Sequence, residues 1–402
     1  MARHYLDHAS TSPPRPSVVA AMERWLEVGV IADPGRVHTE GREARVAVEN
    51  SREAVAGMLG VRPRQVVFTS GGTEAANAAV WGTLTAAPNT PVLVSDVEHS
   101  SVRDAVARSR PEGKGRIVKI AVDELGRIQT SSVEEALSEL ARCKTRATPG
   151  ATRAEALVNC QLANHEVGTL QPVAEVAEIC ERHGAILHVD ACAAAGHVPL
   201  ELDELGAHLV SISAHKFGGP TGIGAIVIKR GLRIAPFLVG GDQERARRAG
   251  LENSLGIVGF GAAASELSSP GRLAREAEDN RLQTERLLEA ATRVDGVEIL
   301  GDPKLRVPHI VCLSVRGVEA EPVLVGLDRV GIAAHSGSSC SSESLSPSPV
   351  LEAMGVDAER SLRLSVGWST TDGDIRAFAD RFEGVVENLR ALRSGGTDPG
   401  GK

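Results

Sequence analysis

Seven short runs of β-branched and apolar residues, at 66–69, 91–95, 117–120, 157–162, 185–189, 209–213 and 225–229, alternate with longer Ala-rich amphipathic stretches such as 173–183. No other feature constrains the fold as much. Strands that return after a helical crossover lie parallel, and helices then cover the sheet on its faces. The pattern predicts an α/β protein whose large domain is a mostly parallel seven-stranded sheet covered by helices. In such sheets ligands sit beyond the carboxyl ends of the strands, so the chemistry is sought there. From about residue 262 the pattern changes. Charged helical stretches at 276–293 and 372–393 flank short strands at 309–314 and 361–365, which predicts a smaller α+β domain. The expected division is a large domain over 15–261 and a small one from 1–14 and 262–393. A polar surface loop is expected over 144–153, and a disordered Gly-rich tail over 394–402.

A chain of 402 residues is long enough for two domains. Its net charge of −8 argues against a broad nucleic-acid footprint, though not against a local basic patch. No apolar run approaches the ~18 residues of a membrane span. The opening MARHYLDHAS lacks the apolar core of a signal peptide. A soluble, cytoplasmic protein is expected, binding neither membrane nor nucleic acid. None of the six cysteines, Cys143, Cys160, Cys180, Cys192, Cys312 and Cys340, stands at C-x-x-C spacing, so no metal site is expected and the thiols are read as reduced.

Four segments carry chemistry. Strand 66–69 runs into Ser70-Gly71-Gly72-Thr73 and then a helix. Glycines admit an anion to the helix N-terminus, and the Thr73 hydroxyl adds a donor; a simple helix cap is the competing reading. Strand 185–189 ends in Asp190, a carboxylate suited to a pyridinium nitrogen or, alternatively, to capping the next helix. Lys216 follows strand 209–213 and precedes Gly218-Gly219-Pro220, where burial would favour Schiff-base chemistry, with Ser213 and His215 placed to hold phosphate. Finally, Cys340 lies in the polar run His335 to Pro349, unlike the other cysteines, and reads as an exposed, reactive thiol on a mobile loop, with an incidental loop cysteine as the competing reading.

Together these segments resemble the cysteine desulfurases, a branch of the fold-type-I pyridoxal-phosphate enzymes related to class V aminotransferases. The resemblance spans nearly the whole chain. It runs from Tyr5-Leu6-Asp7-His8-Ala9-Ser10-Thr11-Ser12-Pro13 through Glu98-His99, Asn164-His165-Glu166 and Ser213-Ala214-His215-Lys216 to Ser339-Cys340-Ser341 and Leu362-Arg363-Leu364. It implies pyridoxal 5'-phosphate linked to Lys216, with Asp190 on the pyridine nitrogen and Gly72, Thr73, Ser213 and His215 on the phosphate. It further implies that His99 stacks on the ring and handles protons, that Asn164 faces cofactor and substrate, and that Arg363 holds the substrate carboxylate. The implied reaction converts L-cysteine to L-alanine and leaves a persulfide on Cys340. That sulfur would pass to an acceptor protein such as an iron–sulfur scaffold or a sulfur carrier. A homodimer with shared sites is implied by Arg248-Ala249-Gly250-Leu251-Glu252-Asn253, which resembles a segment crossing to the neighbouring subunit.

The chain departs from the family pattern at four positions. Ala193 replaces a Gln that donates to the cofactor's phenolic oxygen, and Leu251 replaces a phosphate-binding Thr. His165 stands where a second Asn is common, and Trp368 where Arg is frequent. Two alternatives stay open at this stage: a related C–S or selenocysteine lyase, and a binding subunit whose catalysis has faded.

Overall fold

The computed structural model describes residues 2–29, 32–110, 115–144, 155–202, 204–336 and 347–395. A short strand β1 (His4–Tyr5) opens the chain. The large sheet follows with β2 (Val66–Thr69), β3 (Val92–Val94), β4 (Ile117–Lys119), β5 (Leu157–Gln161), β6 (Ile186–Asp190), β7 (Leu209–Ser213) and β8 (Gly224–Ile228). Their order is β2-β8-β7-β6-β5-β3-β4. Every pairing is parallel except those of β8 with β2 and with β7. The expected mostly parallel seven-stranded sheet is therefore present. Its strands start or stop within a residue or so of the predicted runs.

Burial explains the continuous apolar runs. β5, β7 and β8 are buried at every residue, as strands covered on both faces must be. Alternate residues serve opposite faces. Val210, Ile212, Ala225 and Val227 join the main core with Val55 and Phe260. Leu209, Ile226 and Ile228 pack instead with Ala75 and Ala79 of helix Gly72–Ala86.

Beyond the large sheet come β9 (Val297–Leu300), β10 (Ile310–Val315), β11 (Ile332–Ala333) and β12 (Ser361–Ser365). β12, β10 and β9 form an antiparallel sheet, while β11 pairs in parallel with β1. These strands share a second core with Leu287, Leu313, Leu362, Phe378 and Phe382, which Leu6 from the N-terminus joins. Helix Ser254–Leu267 passes across position 262 and buries Ile257, Phe260, Ala263 and Leu267 in the larger core. The last helix, Asp372–Gly395, continues through Ser394 and Gly395, two residues into the expected tail.

Buried Arg15 ties these parts together. Its guanidinium pairs with Glu266 at 2.9 Å and Glu276 at 2.7 Å, and its Nε donates to the Phe217 carbonyl at 2.8 Å. Gly218, at φ 86°, follows that carbonyl. A Cβ there would stand 2.7 Å from Arg15 Cγ and 2.9 Å from the Trp368 indole nitrogen, so only glycine fits the turn. Trp368 itself donates to the Pro13 carbonyl at 2.8 Å.

Candidate active site

Because β2, β3, β5, β6 and β7 run the same way, their carboxyl ends share one edge of the sheet. A cavity of about 220 Å³ opens there. Each strand sends residues to it: Gly72 and Thr73 after β2; His99 and Ser101 after β3; Gln161, Ala163 and His165 at β5; Asp190, Cys192 and Ala193 at β6; Ser213, His215 and Lys216 at β7. Of the residues singled out in the sequence, Gly72, Thr73, His99, Asp190, Ser213, His215 and Lys216 come together in this one space.

One end of the cavity is built for an anion. Helix Gly72–Ala86 begins at Gly71 with no side-chain cap, so the competing reading of this segment as a Ser/Thr cap does not describe it. The first N–H groups of a helix lack intrahelical acceptors and carry partial positive charge. Ser213 Oγ and His215 Nδ1 are buried without hydrogen-bond partners. Such orphans cost about 1–3 kcal/mol each unless a ligand satisfies them. Gly72 is also sterically required, since a Cβ would fall 2.5 Å from Cys192 Sγ. Glu74, in the same first turn, is neutralised by Arg248 at 2.9 Å.

Asp190 ends β6, is 7% exposed, and accepts from the Cys192 amide at 2.9 Å. His99 precedes helix Ser100–Ser109, and its Nδ1 accepts from the Ser101 amide at 3.1 Å. Burial, with His165 nearby, pushes its pKa down to about 3, so the ring is neutral. An amide can only donate, so Nδ1 carries the lone pair and Nε2 the proton. As held, His99 can donate a hydrogen bond from Nε2 but cannot take a proton there.

Lys216 sits in the turn Ala214–Phe217 after β7, and its Nζ donates to the Ala9 carbonyl at 2.5 Å. Arg363, in β12, does not line the cavity. It is 5% exposed and donates to the His165 carbonyl at 2.9 Å, to Asp7 at 3.0 Å and to Ser10 at 2.7 Å. Asn164 is likewise absent from the lining. Its Oδ1 accepts from the amides of Glu166 and Val167, and its Nδ2 donates to the Val97 carbonyl. The neighbouring His165 lines the cavity, its ring edge-on to His99 at 4.9 Å. Ala193 lines it too, whereas Leu251 is 62% exposed on the surface. Cys340 and its expected mobile loop fall outside the described residues. The flanks are described: the His335 amide donates to the Arg363 carbonyl, and Ser348 Oγ donates to Glu166 at 2.6 Å.

Sequence reasoning missed Gln161, Cys192, Ser101 and the turn 7–10. A signal for part of this exists. β5, β6 and β7 each carry polar residues two apart near their ends: Asn159 and Gln161, His188 and Asp190, Ser211 and Ser213. Residues two apart in a strand face the same side. Asn159 Oδ1 accepts from His188 Nδ1 at 2.9 Å, and His188 Nε2 accepts from Ser211 Oγ at 2.8 Å. A satisfied polar layer thus lies directly beneath the cavity floor.

The buried titratable groups around the site have a pH signature. Burial lowers His188 from 6.5 to about 3, and His8 and His197 to about 4. Folding then releases protons below pH 6.5, so this stability is full above 6.5 and lost as pH falls toward the folded values. Glu98 and Glu166 oppose it. Burial raises them from 4.5 to about 8 and about 7, so their contribution is full below 4.5 and lost as pH rises through 7 to 8. Each group contributes on the order of 1 kcal/mol per pH unit within its window. His99, His165 and His215 are lowered in the same way, so the histidines outnumber the two carboxyls, and the unfolding temperature should be highest near pH 6–7 and fall steadily as pH drops below it. His188→Gln, which keeps a donor and an acceptor without titrating, should flatten the acid limb; an identical limb would refute the assignment.

A helix-covered, mostly parallel sheet with a lysine turn after a central strand and an uncapped helix start at the same edge is an α/β architecture whose cavity suits an anionic group beside a lysine. The sequence profile of the aminotransferase class-V family matches residues 4–378, and the chain belongs to that family. A cysteine desulfurase IscS of Dictyoglomus turgidum is 36% identical over 396 residues, covering 96% of this chain and 95% of that protein. An IscS-like cysteine desulfurase of Mycobacterium tuberculosis is 34% identical, covering 96% and 97%. Among solved structures, a NifS-like protein has TM-score 0.85 at 27% identity over 96% of this chain and all of its own. The apo cysteine desulfurase of Thermococcus onnurineus NA1 has TM-score 0.83 at 25% identity over 96% of this chain and 95% of its own. No helix among the described residues is long and apolar enough to cross a membrane.

Proposed function

We propose that the protein is a pyridoxal-phosphate-dependent cysteine desulfurase, which moves the sulfur of L-cysteine to Cys340 and releases L-alanine. One observation carries the reading: Lys216, Asp190 and the orphaned donor set of Ser213 and His215 share a single cavity in a chain that matches cysteine desulfurases along almost its whole length. The residues fit the cofactor. The uncapped helix start, Ser213 and His215 suit its phosphate, Asp190 suits a protonated pyridine nitrogen, and Lys216 suits its aldehyde carbon. When bound, the cofactor supplies an electron sink for the electrons freed at the substrate's carbon.

The chain's own residues then divide the work. Arg363 holds the substrate carboxylate, for which a guanidinium fork is suited. Lys216 Nζ takes the proton from the substrate's α-carbon. Lys216, then an ammonium, returns that proton, and the neutral His99 ring donates a hydrogen bond from Nε2 into the site. Cys340, as thiolate, attacks the substrate sulfur: the new S–S bond forms, the C–S bond breaks with its electrons passing to the carbon fragment, and that fragment takes protons to become alanine.

Two finer points accompany this reading. A homodimer is supported by exposed Leu251 and Val239, 62% and 78% exposed, on a segment whose Ala249 amide is bonded to the Leu238 carbonyl; such apolar surface fits a subunit contact. The described cysteines Cys160, Cys180, Cys192 and Cys312 are free thiols, which fits a reducing cytoplasm. Sulfur acceptors in keeping with the reading are an iron–sulfur scaffold or a sulfur-carrier protein. The test is to incubate cofactor-loaded protein with L-cysteine and a thiol reductant. Alanine and sulfide should form in equal amounts; pyruvate in place of alanine, or no product, would refute the proposal.

A further inference from the structure

The N-terminal turn 7–10 reaches the site from outside the large sheet and touches two functional groups at once. The Ala9 carbonyl accepts from Lys216 Nζ, and Asp7 and Ser10 both bind Nη2 of Arg363. Ser10 Oγ in turn donates to Asp7 Oδ1 at 2.9 Å. The turn is anchored on β12, where Ser365 Oγ accepts from the Ala9 amide at 2.8 Å. The Arg363–Asp7 pair is well shielded, its side chains 7% and 18% exposed, and Arg363 Nε has no partner although buried.

A guanidinium grips a carboxylate with two N–H groups along one of two edges, Nε with Nη2 or Nη1 with Nη2. Both edges run through Nη2. A second carboxylate can be gripped at Arg363 only by taking Nη2 from Asp7 or by sharing it with that like charge. We propose that Asp7 is an affinity-determining residue: its carboxylate occupies the place on Arg363 that the carboxylate of an incoming amino acid must win by exchange. This rests on the desulfurase reading and on Arg363 as the carboxylate anchor. The exchange moves no covalent bond. It also couples the two ends of the site, because the turn that yields Arg363 is the one whose Ala9 carbonyl holds Lys216.

Asp7→Asn tests the idea. The amide keeps the shape and an acceptor for Nη2 but loses the charge, and charge-assisted hydrogen bonds are roughly twice as strong as neutral ones. Cofactor-loaded wild type and variant are titrated calorimetrically with L-alanine and with ethylamine, which is alanine without its carboxylate. The expected result is binding of L-alanine about tenfold tighter in the variant, with ethylamine unchanged. Equal shifts for both ligands, or L-alanine bound no tighter, would overturn the proposal, because a merely structural Asp7 would not favour the carboxylate. Ser10→Ala guards against misfolding of the first variant; by loosening the hold of Asp7 it should tighten L-alanine in the same direction by a smaller factor, and no gain there also overturns the exchange. Alanine formation from cysteine by the wild type is measured alongside. Its absence defeats the desulfurase reading, whereas an active wild type without the alanine-specific gain in the variants defeats only the exchange.

Discussion

Replacing Lys216 by alanine should lower cysteine turnover by about 1,000-fold or more, the scale expected when one group serves both as covalent anchor and as proton carrier. The fold should survive, because Lys216 belongs to neither of the two main cores. The turn that carries it is held by its backbone: the Phe217 carbonyl is bound to Arg15, and the His215 carbonyl to the Ser12 amide. The variant should therefore unfold near the wild-type temperature and still take up the cofactor through the phosphate end. After borohydride treatment the wild type should retain the cofactor covalently on the peptide containing Lys216, and the variant should retain none. Covalent retention elsewhere, together with normal turnover, would remove Lys216 from the mechanism.

Cys340→Ala should bind cofactor and cysteine yet release sulfide on the order of 1,000-fold more slowly or worse, as loss of a nucleophile does. The argument gains from the other thiols. A thiolate is the nucleophile, and a thiol is not. Burial pushes Cys180 and Cys312 up to about 12 and holds Cys160 well above the usual thiol value. Cys192 lines the cavity, but burial and the adjacent Asp190 carboxylate keep it protonated as well. None of these four can compete as an attacking group at neutral pH. Cys340 lies four positions after Ser336, and four residues of extended chain span at most about 14 Å. Its described neighbours on either side are fixed to residues that contact the cavity-lining His165, His335 to Arg363 and Ser348 to Glu166. Wild type given cysteine without reductant should gain the mass of one sulfur atom on the peptide holding Cys340. Sulfur found on Cys192, or wild-type sulfide release from Cys340→Ala, would transfer the role and favour a simple lyase.

Much of the site was legible because a parallel sheet places successive strand ends along one edge. Once 66–69, 185–189 and 209–213 were read as strands, Gly72, Thr73, Asp190, Ser213, His215 and Lys216 had to lie near one another. Local pattern alone sufficed, since each of these residues ends or follows its strand within a few positions. Strand β8 was legible as a strand but not as the one that runs against its neighbours, because direction depends on the connection and not on composition. Strands β1 and β11 carry two residues each, too few to show a period, and β9 has two exposed residues, Glu298 and Ile299, in the middle of its four. What only the tertiary structure decided are contacts between residues far apart in the chain. His165, and not Asn164, lines the cavity, because the Asn164 amide is consumed by backbone groups of its own turn and by Val97. His99 presents a proton and not a lone pair, because the Ser101 amide takes Nδ1. Arg363 meets Asp7 across more than 350 positions, because β1 pairs with β11 and the Asp7 backbone bridges to Ser365 of β12. The sequence by itself determined which residue types reach the sheet edge, since that follows from strand period and order. Which of their donors and acceptors stay open to a ligand was decided by packing, since each hydrogen bond made within the fold withdraws an atom from the chemistry.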